Sequence, residues 1–88
     1  MTYEQFLDEL NYLDLRVIEY PKETWCIGRK DIANHIISFK PFTDKSDYNG
    51  GVNIKSINSS LYTSVQIKDS LYLVNELLMT PLKERGNI

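Results

Sequence analysis

Residues 15–39 read LRVIEYPKETWCIGRKDIANHIISF, and this stretch decides the fold. Proline cannot donate a hydrogen bond to a neighbouring strand, so Pro21 ends one strand-like segment and Pro41 follows another. β-branched and aromatic residues, which favour strands, are concentrated in three runs. These runs are 15–20, 24–29 and 36–39.

The apolar pattern also predicts how the second and third runs pair. Trp25 and Ile27 fall on one face, and they would share a core with the odd-numbered residues of 36–39. Odd residues would then pair with odd residues. In that register the even-numbered Cys26 points away from His35. The sequence therefore predicts that its single cysteine and single histidine do not form a catalytic pair.

An amphipathic helix is predicted before the strands. Thr2 and Gln5 have the spacing of a capping box, in which each side chain bonds the other residue's backbone N–H. The apolar residues that follow recur at the spacing of one buried helical stripe. They are Tyr3, Phe6, Leu7, Leu10 and Leu13.

The segment after the third run begins with a loop. Residues 41–51 are dense in turn-forming residues, and 52–57 then resume a strand-like pattern. The chain is therefore expected to form three or four strands before its last helix.

The start of the last helix has two interpretations. Thr63 and Gln66 repeat the capping-box spacing, which predicts a helix from that point. Residues 61–65 could instead form another strand, with the helix starting near Lys68. Pro81 would end the helix and be followed by one short turn.

The order of these elements predicts a single α+β domain over residues 1–88. A helix, an antiparallel meander of three or four strands and a second helix would form it. Both helices would pack on one face of the sheet, because each amphipathic helix must bury its apolar stripe.

Composition bounds the class of protein. The chain has 88 residues, 42% of them hydrophobic and 25% charged, with a net charge of −2, which is typical of a globular protein. No apolar run is long enough to span a bilayer, and the first residues lack the pattern of a secretory signal. One cysteine fits a reducing compartment. We therefore expect a cytoplasmic protein that does not insert into membranes.

Motifs for chemistry are missing from the sequence. One cysteine and one histidine cannot build a structural zinc site without carboxylates, and the chain has no phosphate-binding glycine loop. Aligning Gly50 with the glycine of a calcium-binding loop puts Lys45 and Ser56 at ligand positions that need carboxylates. We expect no metal, no cofactor and no enzymatic activity.

Nucleic-acid binding is the alternative function. Helix, three strands, helix is also the order of double-stranded-RNA-binding domains, which place a lysine cluster at the start of the last helix. Here that region offers Lys68 alone, with Asp69 beside it. Nucleic acid is therefore a less favoured partner than protein.

A motif near the C-terminus resembles a known group of proteins. Residues 71–85 end in Thr-Pro-Leu-x-Glu-Arg, and residues 3–6 form a Tyr-x-x-Phe start. Both features resemble small proteins of unknown function encoded by phages and prophages of Gram-positive bacteria. The simpler interpretation of the motif is a helix end followed by solvent-exposed Glu84 and Arg85.

The resemblance implies a phage accessory protein that acts by binding a host or phage protein. Small proteins of this kind include inhibitors of host defence, such as anti-CRISPR proteins. The resemblance offers no catalytic residues to carry over. A free strand edge could also pair two copies of the chain. The residues that we predict to contact a partner are Glu4, Asp8, Asp44, Asp47 and Tyr48.

Overall fold

The computed structural model describes residues 1–43 and 51–87. Within these ranges one antiparallel sheet has the strand order β1-β2-β3-β4 and is flanked in sequence by two α-helices. The predicted α+β fold of helix, meander and helix is confirmed. No helix in the described ranges has the length and apolarity needed to cross a membrane. The elements are α1 (Tyr3–Tyr12), β1 (Leu15–Glu19), β2 (Trp25–Arg29), β3 (Ile37–Phe39), β4 (Asn53–Ile54) and α2 (Ser64–Met79).

Helix α1 begins with the predicted capping box. The Thr2 hydroxyl accepts the Gln5 backbone N–H at 3.1 Å, and the Gln5 side-chain oxygen accepts the Thr2 N–H at 2.9 Å. Asp14 follows the helix in the left-handed conformation, with φ of 63°. Aspartate tolerates this conformation better than most residues, so the chain can turn directly from α1 into β1.

Helix α2 also begins at its predicted capping box. The Thr63 hydroxyl accepts the Gln66 N–H at 3.0 Å, and the Gln66 side chain accepts the Thr63 N–H at 3.1 Å. The alternative strand over 61–65 is wrong. Tyr62 is instead buried, with its hydroxyl donating to the Asn34 carbonyl oxygen.

Strand β4 is shorter than the predicted run 52–57. The Lys55 N–H donates to the Ile36 carbonyl at 2.8 Å, after which Ser56–Leu61 form a 3-10 helix. The Asn58 side-chain amide donates to the His35 carbonyl at 2.8 Å. A side chain of the 3-10 helix thus bonds the backbone just before β3, at the point where the ladder stops.

The core lies between the helices and the odd-numbered face of the sheet. Trp25 pairs with Phe39 and Ile27 pairs with Ile37, which confirms the predicted register. Phe6 from α1 packs on both rings, with centroids 5.9 Å from Trp25 and 5.6 Å from Phe39. Fully burying a large apolar side chain stabilises a fold by about 1.5–3 kcal/mol, so this cluster is central to stability.

The C-terminal motif is structural. A 3-10 turn at Leu82–Glu84 confirms the predicted short turn, but the prediction of a solvent-exposed Arg85 is wrong, because Arg85 is 0% exposed. The negative end of the α2 dipole lies beside its guanidinium, which makes burial of this cation favourable. The guanidinium donates to the carbonyl oxygens of Leu78 (3.1 Å), Thr80 (2.9 Å), Pro41 (2.9 Å) and Thr43 (2.7 Å).

Candidate functional site

The sheet face opposite the core carries the candidate site. Even-numbered residues of β1 and β2 point to this outer face, because the odd-numbered ones point into the core. Ile18 is 45% exposed and Tyr20 is 76% exposed. Between the strands lies a groove of about 250 Å³. It is lined by Arg16, Ile18, Tyr20, Cys26, Gly28, Ile32, Ala33 and His35.

His35 lies on this outer face, contrary to the prediction from strand alternation. Ile36 and Ile37 are consecutive and both fully buried, so the regular alternation of faces breaks at this point. The Ile36 N–H donates to the carbonyl oxygen of Ile27, whose strand partner is Ile37. Two residues therefore oppose one, as in a β-bulge. This break brings His35 into the same groove as Cys26.

Gly28 forms part of the groove and allows a close approach of the chain. A Cβ at this position would lie 3.3 Å from the Tyr62 hydroxyl oxygen and 3.4 Å from the His35 Cα. Both distances are at or below the tight limit of ordinary packing, so glycine lets the segment before β3 lie close to β2.

The Cys26 thiol is not activated as a nucleophile. Burial raises the pKa of Cys26, and the nearby Lys55 ammonium lowers it to a smaller extent. The thiol donates to the Tyr20 carbonyl oxygen at 3.2 Å. A raised pKa and a bonded S–H keep the group a thiol at neutral pH, whereas a cysteine nucleophile needs the thiolate.

The His35 imidazole is shifted toward its neutral form. Burial lowers the pKa of His35, and the positive charge of Lys55 lowers it further. The shifts of His35 and Cys26 therefore both oppose a thiolate–imidazolium pair, even though the two side chains line one groove. The arrangement is better suited to contact than to nucleophilic chemistry.

Two cations flank the groove without carboxylate partners. Arg16 lines one side, and the charge of Lys55 acts on both Cys26 and His35 from the other. The ion pairs in residues 1–43 and 51–87 are Arg29–Asp31 and Lys30–Asp14, so neither Arg16 nor Lys55 is paired there. The groove is thus apolar inside and positively charged at two ends.

The two predicted contact residues that the structure describes do not line this groove. Glu4 and Asp8 are exposed on α1, on the helix side of the molecule. Asp44, Asp47 and Tyr48 lie outside the described residues. The structure therefore places Glu4 and Asp8 away from the candidate site, and the role of all five residues stays a prediction.

A second groove of about 610 Å³ runs along α2. Leu71, Val74 and Leu78 line it together with Val52, and Lys68 is the charged residue in its lining. Its lining residues indicate a specific kind of ligand less clearly than those of the outer-face groove do. No cluster of three or more metal-ligating side chains occurs in the described part of the chain.

The sequence contained a signal for one half of the outer-face groove. Arg16, Ile18 and Tyr20 alternate with Leu15 and other core-facing residues of β1, so their shared face could be predicted. The other half, from 32–35 and Lys55, depends on the chain bend before β3. No local pattern predicts that bend.

Comparison with known protein families, curated proteins and solved structures finds no match to this chain.

Proposed function

We propose that this protein is a non-enzymatic binding protein that docks on another protein through the outer face of its sheet. The observation that supports this proposal is the one-sided packing of the sheet. Exposed Ile18 and Tyr20 border an apolar groove on the face opposite the one on which α1 and α2 pack. Apolar side chains next to a groove are typical of protein-binding surfaces.

The motifs at the two ends of the chain support a role as an accessory protein of a phage or prophage, acting inside the bacterial host cell. The partner would be a host or phage protein, and inhibition of a host defence or replication factor is the expected consequence of binding. Exposed Glu4 and Asp8 on α1 are the second proposed contact, and they favour a partner with a basic surface at that side.

Affinity purification of the tagged protein from infected or lysogenic cells tests this function. The wild type is compared with Ile18→Glu on the outer face and with Val65→Glu as the matched control. Val65 is 58% exposed at the start of α2, away from the groove. We expect a stoichiometric protein that survives nuclease treatment, is lost with Ile18→Glu and is retained with Val65→Glu. Equal recovery with both variants would contradict the outer face as the docking site.

A nucleic-acid-binding module is the second candidate function. Arg16, Lys55 and exposed Tyr20 offer positive charge and one aromatic ring on the outer face, which are the groups that bind phosphates and bases. Recovery of RNA or DNA alone, together with strongly salt-dependent binding to bare duplex, would favour this candidate over protein docking.

A further inference from the structure

Two cations that have no carboxylate partner among the described residues lie across the outer face, and their positions restrict the chemistry of a partner. Arg16 on β1 pairs with Gly28 on β2. Lys55 donates its backbone N–H to Ile36, the residue just before β3, so it lies at nearly the same level of the sheet. Three strand intervals of about 4.8 Å separate the two backbones, which places them about 14 Å apart.

The described surface between these cations is largely apolar. Ile18, Ile32 and Ala33 line the groove, and no carboxylate is among its lining residues in 1–43 and 51–87. Two acids on the neighbouring described strands and turn are engaged elsewhere: Asp31 pairs with Arg29 at 2.6 Å, and Glu19 accepts the Glu23 N–H at 3.2 Å. A partner with negative charges at both ends of the groove would therefore meet no like charge in its lining.

We propose that the outer-face groove binds an extended segment of a protein partner with the pattern acidic-x-apolar-x-acidic. This inference rests on the proposed docking through the outer face and names the chemistry of the segment that docks. An extended chain advances about 3.3 Å per residue, so the first and fifth positions lie about 13 Å apart. Side chains one, three and five point to the same side of such a segment. The two carboxylates would reach Arg16 and Lys55 while the apolar side chain enters the groove.

A nucleic-acid strand fits the same surface less well. Phosphates follow one another closely along a strand and call for a continuous row of cations, whereas two isolated cations stand here about 14 Å apart. Aliphatic side chains line the space between them, and Tyr20 and His35 provide the rings among the described lining residues. Stacking of successive bases needs several aromatic rings. The peptide is therefore the favoured occupant.

Titration of the isotope-labelled protein with short capped peptides tests this proposal by NMR. The probe is Ser-Glu-Ser-Leu-Ser-Glu-Ser, and the comparison peptides carry Gln or Lys at both Glu positions. We expect the Glu peptide to shift the amide signals of Ile18, Cys26 and Gly28. The Gln peptide loses two exposed charge contacts, so it should bind about twofold to thirtyfold more weakly. The Lys peptide should be weaker still.

Charge reversal on the protein provides the second arm. Arg16→Glu with Lys55→Glu should invert the preference, so that the Lys peptide binds more tightly than the Glu peptide. Arg16 and Lys55 are exposed, and the amide spectrum reports whether the variant keeps its fold. If it does not, Arg16→Gln with Lys55→Gln replaces it, and the preference for the Glu peptide should vanish.

Equal affinity for the Glu, Gln and Lys peptides would overturn this inference, as would an unchanged preference in the charge variant. Tighter binding of an oligonucleotide than of the Glu peptide at these same amides would also overturn it. These failures are separable from failure of the proposed function. If Ile18→Glu abolishes capture of the cellular partner while the charge variant retains it, docking stands and the acidic pattern fails.

Discussion

Tyr3 and Arg85, near opposite ends of the chain, bond to the same carbonyl oxygen. Pro41 accepts the Tyr3 hydroxyl at 3.0 Å and the Arg85 guanidinium at 2.9 Å. The Arg85 carbonyl oxygen in turn accepts the Tyr3 backbone N–H at 2.7 Å. These bonds hold three segments together at one point: the start of α1, the segment after β3 and the C-terminal turn.

Removing the Arg85 side chain should strongly destabilise the protein. Arg85→Ala leaves the Leu78, Thr80 and Thr43 carbonyl oxygens without the guanidinium donor and opens a cavity, and we expect the free energy of unfolding to fall by about 3 kcal/mol or more. Arg85→Lys should recover only part of this, because an ammonium cannot reach four separate carbonyls. Urea unfolding measures the change, with exposed Lys83→Ala as control. A loss as small as that of Lys83→Ala would disprove this role.

The start of α2 is testable through its cap. Thr63→Ala removes the acceptor of the Gln66 N–H, and we expect the free energy of unfolding to fall by about 1 kcal/mol. Ser64→Ala, one residue further along, should change it by less than about 0.5 kcal/mol. Chemical unfolding followed by circular dichroism compares the two. Equal effects would argue that the helix does not depend on this cap.

Because Tyr62 and His35 lie close to Gly28, we predict that substitutions of Gly28 and Tyr62 have coupled effects on stability. Gly28→Ala would place a Cβ against the Tyr62 hydroxyl and the His35 backbone, and we expect a loss of about 1–3 kcal/mol. Tyr62→Phe removes the hydroxyl that bonds Asn34 and the Arg29 N–H, which should cost about 1–2 kcal/mol.

The double variant of Gly28 and Tyr62 should lose less stability than the sum of the two single variants, because deleting the hydroxyl also relieves part of the steric conflict. A double-mutant cycle from urea unfolding measures this coupling. Strict additivity would mean that the new methyl group does not meet the hydroxyl.

His35 should make stability depend on pH. Burial and then Lys55 lower the pKa of His35 in the folded state below 6.5, the ordinary value of the unfolded chain. Between the two pKa values the unfolded chain holds more protons, so stability falls as pH drops from about 6.5 toward the folded pKa. Above about pH 6.5 the imidazole is neutral in both the folded and the unfolded chain, so no stability is lost through His35.

Urea midpoints at about pH 7.5 and about pH 5 measure this dependence. His35→Gln should lose less stability than the wild type over that range. Lys55→Gln should lie between them, because it removes one of the two causes of the shift. Identical losses for the wild type and His35→Gln would show that this imidazole is not the titrating group.

The sequence by itself determined the elements whose bonds are local. Each capping box joins two residues within one helical turn, where each side chain bonds the backbone N–H of the other residue. The spacing of Thr2 and Gln5, and of Thr63 and Gln66, was therefore enough to place both helix starts. Apolar alternation likewise determined the pairing of Trp25 with Phe39, since a slip of one residue would expose the core face.

Only the tertiary structure decided the features that depend on distant partners. Burial of Arg85 requires the carbonyls of Pro41 and Thr43, more than forty positions away in the sequence, to converge on its guanidinium. The groove shared by Cys26 and His35 requires the bend at Ile36, which is set by packing and not by local preference. A cation is stable in the interior only when several hydrogen-bond acceptors surround it. The pattern of neighbouring residues in the sequence does not show whether distant acceptors will come together in this way.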